Sequence, residues 1–195
     1  MQQIQKKPLI FYIHGWKSSG LALKAVALKK FFGETNVYAP TLPVNAKLAI
    51  HLLSQNIEQM KDFYDITLVG SSLGGYYSIF LSEKYNLKAV LVNPSIEPYI
   101  TLAKDIGQHK NFDGSMYELT QELVDLYKEF EIAQIKNQKN FLVLLQKGDE
   151  LLDYNQAAQK FKDSNLDIEE GGNHVYDGFD RKFTDIEKFA GFKQQ

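Results

Sequence analysis

The sequence predicts an α/β protein: a three-layer α/β/α sandwich built on one six-stranded parallel sheet. Three observations predict it. Short apolar runs alternate with longer amphipathic ones along all 195 residues. Several short runs are apolar at consecutive rather than alternate positions, the pattern of strands covered on both faces. No repeat, low-complexity tract or Pro/Gly/Ser-rich linker divides the chain, whose length suits one domain, residues 1–195, with a full core. Strands alternating with helices argue for right-handed crossovers within a single sheet.

The elements follow in order. Residues 9–13 (LIFYI) read as the first strand and 21–32 as a helix; 37–38 is a short second strand. Over 46–64, Leu48, Leu52, Asn56, Met60 and Phe63 recur at spacings of three and four, with Leu53, Ile57 and Tyr64 beside them, which predicts a long amphipathic helix. A strand at 66–69, a helix at 76–85 and a strand at 89–92 come next. The rhythm then breaks. Residues 93–140 contain no strand candidate; Pro94 and Pro98 open the interval and Asp113-Gly114-Ser115 divides it. Residues 116–130 read as a helix with Leu119, Leu123, Leu126, Tyr127 and Phe130 on its apolar stripe. A helical insertion after the fourth strand is expected here, either as an ordinary crossover or as a lid over a site at the strand carboxyl ends. A strand at 141–145, a weaker helix at 157–161, a strand at 166–168 and a helix at 184–189 complete the chain. Asp185 and Glu187 near the start of that last helix, and Lys188 near its end, match the helix dipole.

Composition removes several function classes. The formal charge of −2, from 22 basic and 24 acidic residues, implies no broad cationic face, so no nucleic-acid partner is expected. With no cysteine, disulfides, thiolate zinc sites and a cysteine nucleophile are excluded, and the chain fits a reducing compartment. The first apolar run reaches His14 too soon for a signal-peptide core, and no run approaches the ~18 apolar residues of a membrane span. A cytoplasmic protein is expected.

One stretch carries chemistry. Gly70-Ser71-Ser72-Leu73-Gly74 fits G-x-S-x-G with Ser72 at its centre, between a strand and a helix, which is the context that motif requires. The glycines are needed because a side chain at either place would collide with the neighbouring strand or helix, and the helix N-terminus favours developing negative charge. Ser71 lacks the glycine offsets and reads as structural. Without catalysis, the same residues would be a glycine-rich turn with serine caps.

A serine hydroxyl needs a base, and the base an orienting acid. Of four histidines, His174 in GGNHVYDGF directly follows the last strand candidate, and Gly171 and Gly172 let that loop return over the sheet. His51 belongs on the long helix, partly exposed, and His109 belongs in the insertion, solvated. Asp149, in the turn Gly148-Asp149 after strand 141–145, is the favoured acid; Glu150 and Asp153 compete, the latter equally readable as a helix-initiating residue. After strand 89–92 the chain reads Asn93-Pro94, with no carboxylate to offer. The oxyanion of a tetrahedral intermediate is expected between the backbone N–H groups of Trp16 and Leu73, with His14 and Gly15 forming the supporting turn beside Gly70 and Gly74.

Four stretches in this order, YIHGWKSSG, VGSSLGGYYS, QKGDELLDY and GGNHVYDGF, together resemble the YqiA-like esterases, small bacterial α/β-hydrolases. The resemblance implies a reduced hydrolase fold that lacks the first two strands of larger relatives. It also implies esterase or thioesterase activity on short-chain acyl substrates, no metal or other cofactor, and Ser72, His174 and Asp149 as nucleophile, base and acid. Trp16 departs from the phenylalanine common at its position. The expected sheet order is 2-1-3-4-5-6, and the expected partner is a small-molecule acyl ester or thioester. Two rivals remain: an acyl-CoA thioesterase or acyltransferase using the same residues, and a non-catalytic scaffold that binds a ligand or protein.

Overall fold

The computed structural model describes residues 6–192; residues 1–5, part of the reading against a signal segment, lie outside that range. Strands β1 (Lys7–Ile13), β2 (Val37–Tyr38), β3 (Tyr64–Ser71) and β4 (Lys88–Val92) alternate with helices α1 (Leu23–Phe32), α2 (Ala46–Met60) and α3 (Leu73–Tyr85). The insertion after β4 holds α4 (Pro98–Thr101), β5 (Gly107–Lys110), β6 (Met116–Leu119) and α5 (Gln121–Asp125). Then come β7 (Phe141–Gln146), α6 (Tyr154–Lys160), β8 (Asn165–Glu169) and α7 (Phe183–Ala190).

Six strands form one sheet in the order β2-β1-β3-β4-β7-β8, every pair parallel. Counting only these strands, that is the expected 2-1-3-4-5-6. The consecutive apolar residues resolve into two faces. Along β4, Ala89 and Leu91 enter one core with Phe11, Leu68 and Val143, covered by α2, α3 and α6. Val90 and Val92 enter the other with Ile10, Tyr12 and Leu144, covered by α1 and α7. Period-two alternation over a doubly covered sheet is why the middles of β1 and β4 are apolar at consecutive positions.

Three local readings are corrected. The long helix stops at Met60, and Tyr64 opens β3. Its buried face carries Ala49, Ile50, Leu53 and Ile57, while Leu48 is 57% exposed and Phe63, beyond its end, 61%. The apolar stripe is therefore rotated from the expected one toward Leu53 and Ile57, with Ala46 and Ala49 also buried. The expected helix over 116–130 is divided. Thr120 caps α5 by accepting the Leu123 N–H, so the helix starts only at Gln121. Met116–Leu119, ahead of that cap, pair antiparallel with β5, closed by the turn at 111–115. The insertion thus contains a β-hairpin as well as helices. Its second half is tied into the core: Tyr127 stacks on Tyr77, and its carbonyl accepts the Tyr76 hydroxyl.

Candidate active site

Parallel strands bring four loops to one edge: those after β1, β3, β7 and β8. The turn after β3 carries Ser72 at φ 55°, ψ −119°, a conformation that L side chains rarely adopt. Close packing holds it there. A Cβ at Gly74 would sit 1.9 Å from the Ile13 carbonyl oxygen, and one at Gly70 would sit 2.3 Å from that of Gly74. Gly75, which the sequence reading passed over, is equally constrained, with Pro94 Cβ 2.6 Å from where its own would be. The Ser72 N–H donates to Val92 O at 3.0 Å, and its carbonyl accepts from Ser95 N–H at 3.0 Å. The nucleophile candidate is pinned by backbone on both sides.

Ser72, His174 and Asp149 come together as one hydrogen-bonded chain. His174 Nε2 lies 2.9 Å from Ser72 Oγ, and Nδ1 lies 2.9 Å from both Asp149 oxygens. The Asp149 side chain is 2% exposed and that of His174 16%. Asp149 Oδ1 also accepts the N–H groups of Leu151 and Leu152, at 2.9 Å each, which supports a buried carboxylate. The competing acids have other work. Asp153 caps α6 by accepting the Asn155 N–H. Glu150 accepts the backbone N–H of His174 at 2.9 Å, and that bond holds its carboxyl below the usual carboxylate range.

The turn after β1 is organised by His14. Its Nε2 accepts the Leu42 N–H at 2.9 Å, so Nδ1 bears the proton and donates to Gly15 O at 2.8 Å. Burial lowers its pKa, which keeps the ring in this neutral form. The Gly15 carbonyl and the Trp16 N–H share one planar peptide, so fixing one aims the other. Among the described residues, neither the Trp16 nor the Leu73 N–H has an acceptor. Gly15 packs closely on the elbow, its would-be Cβ 3.2 Å from Ser72 Cβ. His51 is exposed on α2. His109 is not solvated as expected: its ring packs edge-on to Trp16 at 5.0 Å, which seats the hairpin against the β1 loop.

Two residues that the sequence reading did not select hold the His174 loop. Asn93, at φ 40°, accepts the Gln146 N–H through Oδ1 and donates from Nδ2 to the carbonyls of Asn173 and His174, at 2.9 and 3.2 Å. Gln146, 2% exposed at the end of β7, uses its whole amide. Oε1 accepts from Asn173 N–H and Asp177 N–H; Nε2 donates to Asp177 O and Glu169 Oε2. Gly172, at φ 76°, allows this approach, since a Cβ there would lie 2.0 Å from Gln146 Oε1. The available signal was a polar side chain at the end of each of two otherwise apolar strands.

A cavity of about 770 Å³ opens beside Ser72 and His174. The β1 loop and the start of α1 form one wall, Pro98 to Asp105 of the insertion another, and Leu151 and Leu152 a third. No helix among the described residues is long and apolar enough to cross a membrane.

A doubly covered parallel sheet with a strained serine between β3 and α3, and an acid and a histidine after the last two strands, defines the α/β-hydrolase fold. Solved structures agree. Est1E of Butyrivibrio proteoclasticus with bound ferulic acid superposes with a TM-score of 0.71 at 18% identity, over 94% of this chain and 87% of that one. A Pyrococcus furiosus esterase gives 0.65 at 18%, over 96% and 82%. Mouse alpha/beta hydrolase domain-containing protein 10 gives 0.66 at 16%, over 94% and 90%. Residues 9–191 match the model of the uncharacterised protein family UPF0227, and the chain belongs to that family. UPF0227 proteins of Vibrio cholerae and Vibrio parahaemolyticus are 26% and 27% identical to it, over 80% and 79% of this chain and 83% of each relative. The resemblance drawn from the four motifs is thereby borne out.

Proposed function

We propose that this protein hydrolyses carboxylic esters through an acyl-enzyme on Ser72. The observation that carries the reading is the continuous chain from Ser72 Oγ through His174 to Asp149, each link 2.9 Å, at the edge of a cavity. His174 Nε2 takes the hydroxyl proton as Oγ attacks the ester carbonyl. Nδ1–H stays hydrogen-bonded to Asp149, whose charge offsets the imidazolium that forms. The N–H groups of Trp16 and Leu73 hold the oxyanion, and each such donor contributes roughly 3 kcal/mol to transition-state stabilisation. His174 then returns the proton to the leaving alcohol. Water, deprotonated by the same imidazole, attacks the acyl carbon and frees the acid and Ser72. The likeness to the Pyrococcus furiosus esterase supports this choice of reaction.

The test is turnover of 4-nitrophenyl butyrate by the wild type and Ser72→Ala. Loss of a triad nucleophile typically removes a factor of about 10⁶ from kcat. The variant is expected at background rate, with an unchanged circular-dichroism spectrum and no labelling by a fluorophosphonate probe. Undiminished turnover in Ser72→Ala would refute the assignment.

A further inference from the structure

The cavity beside Ser72 carries more positive charge than ester hydrolysis needs. Lys17 from the β1 loop, Lys24 from the first turn of α1 and Lys104 from the insertion all border it. Three separate segments therefore bring lysines to the border of one cavity. None of the three forms an ion pair among the described residues. Two carboxylates border the same space, Asp105 and Glu150, and Glu150 is already engaged by the His174 N–H.

Lys24 is the telling member. It is half-buried, and the loss of water pushes its pKa down to about 8, with no carboxylate offsetting the effect. The nearest aromatic face, that of Phe179, is 6.0 Å from Nζ, at the outer limit of a cation–π contact. Lys17, by contrast, is exposed and rests on the Trp16 ring at 4.0 Å. A half-dehydrated ammonium with no counter-ion is a standing cost to the folded protein, and an anion bound in the cavity would relieve it. The rest of the wall is apolar, with Leu102, Leu151 and Val175 among the lining residues, and suits the uncharged part of a ligand.

We propose that the substrate is an anionic ester: its carbonyl lies at Ser72, while a carboxylate or phosphate elsewhere in the same molecule pairs with Lys24, aided by Lys17 and Lys104. This inference rests on the Ser72 reading and deepens it. The reaction keeps its balance, because the anion is bound and not transformed.

Matched probes test it. On the alcohol side, 4-(butyryloxy)benzoate and 4-(butyryloxy)phenyl phosphate are compared with neutral 4-(butyryloxy)benzamide. On the acyl side, 4-nitrophenyl hydrogen glutarate is compared with the 4-nitrophenyl ester of monomethyl glutarate. The wild type is expected to favour the anion by about tenfold in kcat/KM, chiefly through KM, in at least one series, and the benzoate and phosphate arms say which anion fits. Lys24→Met is expected to remove most of that ratio and Lys104→Gln a smaller part. Lys188→Gln, which removes the same charge on α7 away from the cavity, is expected to keep it. Ratios within twofold of unity in both series, or a ratio untouched by Lys24→Met, would overturn the proposal. Titration calorimetry with the unreactive amides 4-butyramidobenzoate and 4-butyramidobenzamide separates the two ideas. Tighter binding of the benzoate, lost in Lys24→Met, supports the anion site even where no ester is turned over. Equal binding together with equal ester rates sinks it, while Ser72-dependent hydrolysis of the neutral esters leaves the esterase reading standing.

Discussion

The two halves of the candidate site are held by opposite means. On the serine side, position comes from what is missing. Gly70, Gly74 and Gly75 let backbones and Pro94 come closer than any Cβ would allow, and the strained Ser72 is trapped between them. On the histidine side, position comes from what is added. The Asn93 and Gln146 side chains and the Glu150 carboxylate make hydrogen bonds to the backbone of the loop that carries His174. Steric exclusion gives one allowed geometry or none. A hydrogen-bond clamp weakens in steps, because each bond contributes only about 0.5–1.5 kcal/mol net.

The sharpest way to break the comparison is a methyl group on the serine side. Gly74→Ala would push a Cβ into the Ile13 carbonyl, and neither atom belongs to a flexible side chain. With unyielding backbone on both sides, the cost is expected at the upper end of overpacking, about 3 kcal/mol. At roughly 2–4 °C per kcal/mol for a chain of this size, Tm is expected to fall by about 6–12 °C or more. Labelling of Ser72 by a fluorophosphonate should disappear with it, in one step. A Gly74→Ala protein with wild-type Tm and full labelling would mean that the elbow is not held by packing.

A milder break is expected on the histidine side. Asn93→Ala removes three hydrogen bonds and leaves the buried Gln146 N–H without its acceptor. A stability loss of about 1–3 kcal/mol follows from the orphaned donor. The clearer readout is kinetic. The imidazole loses its fixed aim while the pocket and Ser72 stay in place, so kcat for 4-nitrophenyl butyrate should fall by about 30-fold with little change in KM, since misplacement of about 1 Å costs on the order of 10². Gln146→Ala should behave alike, and the double variant should lose less than the product of the two, because both act on one loop. If Asn93→Ala raises KM and leaves kcat alone, the clamp account fails.

The same contrast explains what was legible in the sequence. A steric requirement writes itself as residue type at fixed spacing, so Gly70-x-Ser72-x-Gly74 announced the elbow, and the strands announced themselves as apolar runs. Asp149 and His174 were legible because each ends or follows such a run. Asn93 and Gln146 were not, because a hydrogen bond across 53 or 80 residues leaves no spacing behind. Asn93 was noticed only for not being a carboxylate. The hairpin was missed for a related reason: Gly107-Gln108-His109-Lys110 is mostly polar, and its pairing with β6 is set by the turn at 111–115 and by the seating of His109 on Trp16. Local period reads doubly buried strands well and surface strands poorly.

The smallest expected effect lies one layer beneath the clamp. Glu169 receives Gln146 Nε2 and pairs with Arg181 and Lys182, with Lys182 Nζ at 2.9 Å. The Lys182 and Gln146 hydrogen bonds push its pKa down to about 2, from an ordinary value of 4.5. A carboxylate depressed in the folded state binds its proton more readily when unfolded, so it adds stability above about 4.5 and loses it as the pH falls toward 2. The side chain is 23% exposed, and solvent and salt weaken the pairing. Glu169→Gln should therefore lower Tm by only about 2–4 °C at pH 7. That gap should close steadily between pH 4.5 and 2, where the wild-type carboxyl becomes neutral as well. A gap that persists undiminished at the acid end would assign the role of Glu169 to shape rather than charge. The clamp on the histidine loop would then owe nothing to the charge of Glu169, and 4-nitrophenyl butyrate turnover measured at neutral pH should be the same in Glu169→Gln as in the wild type.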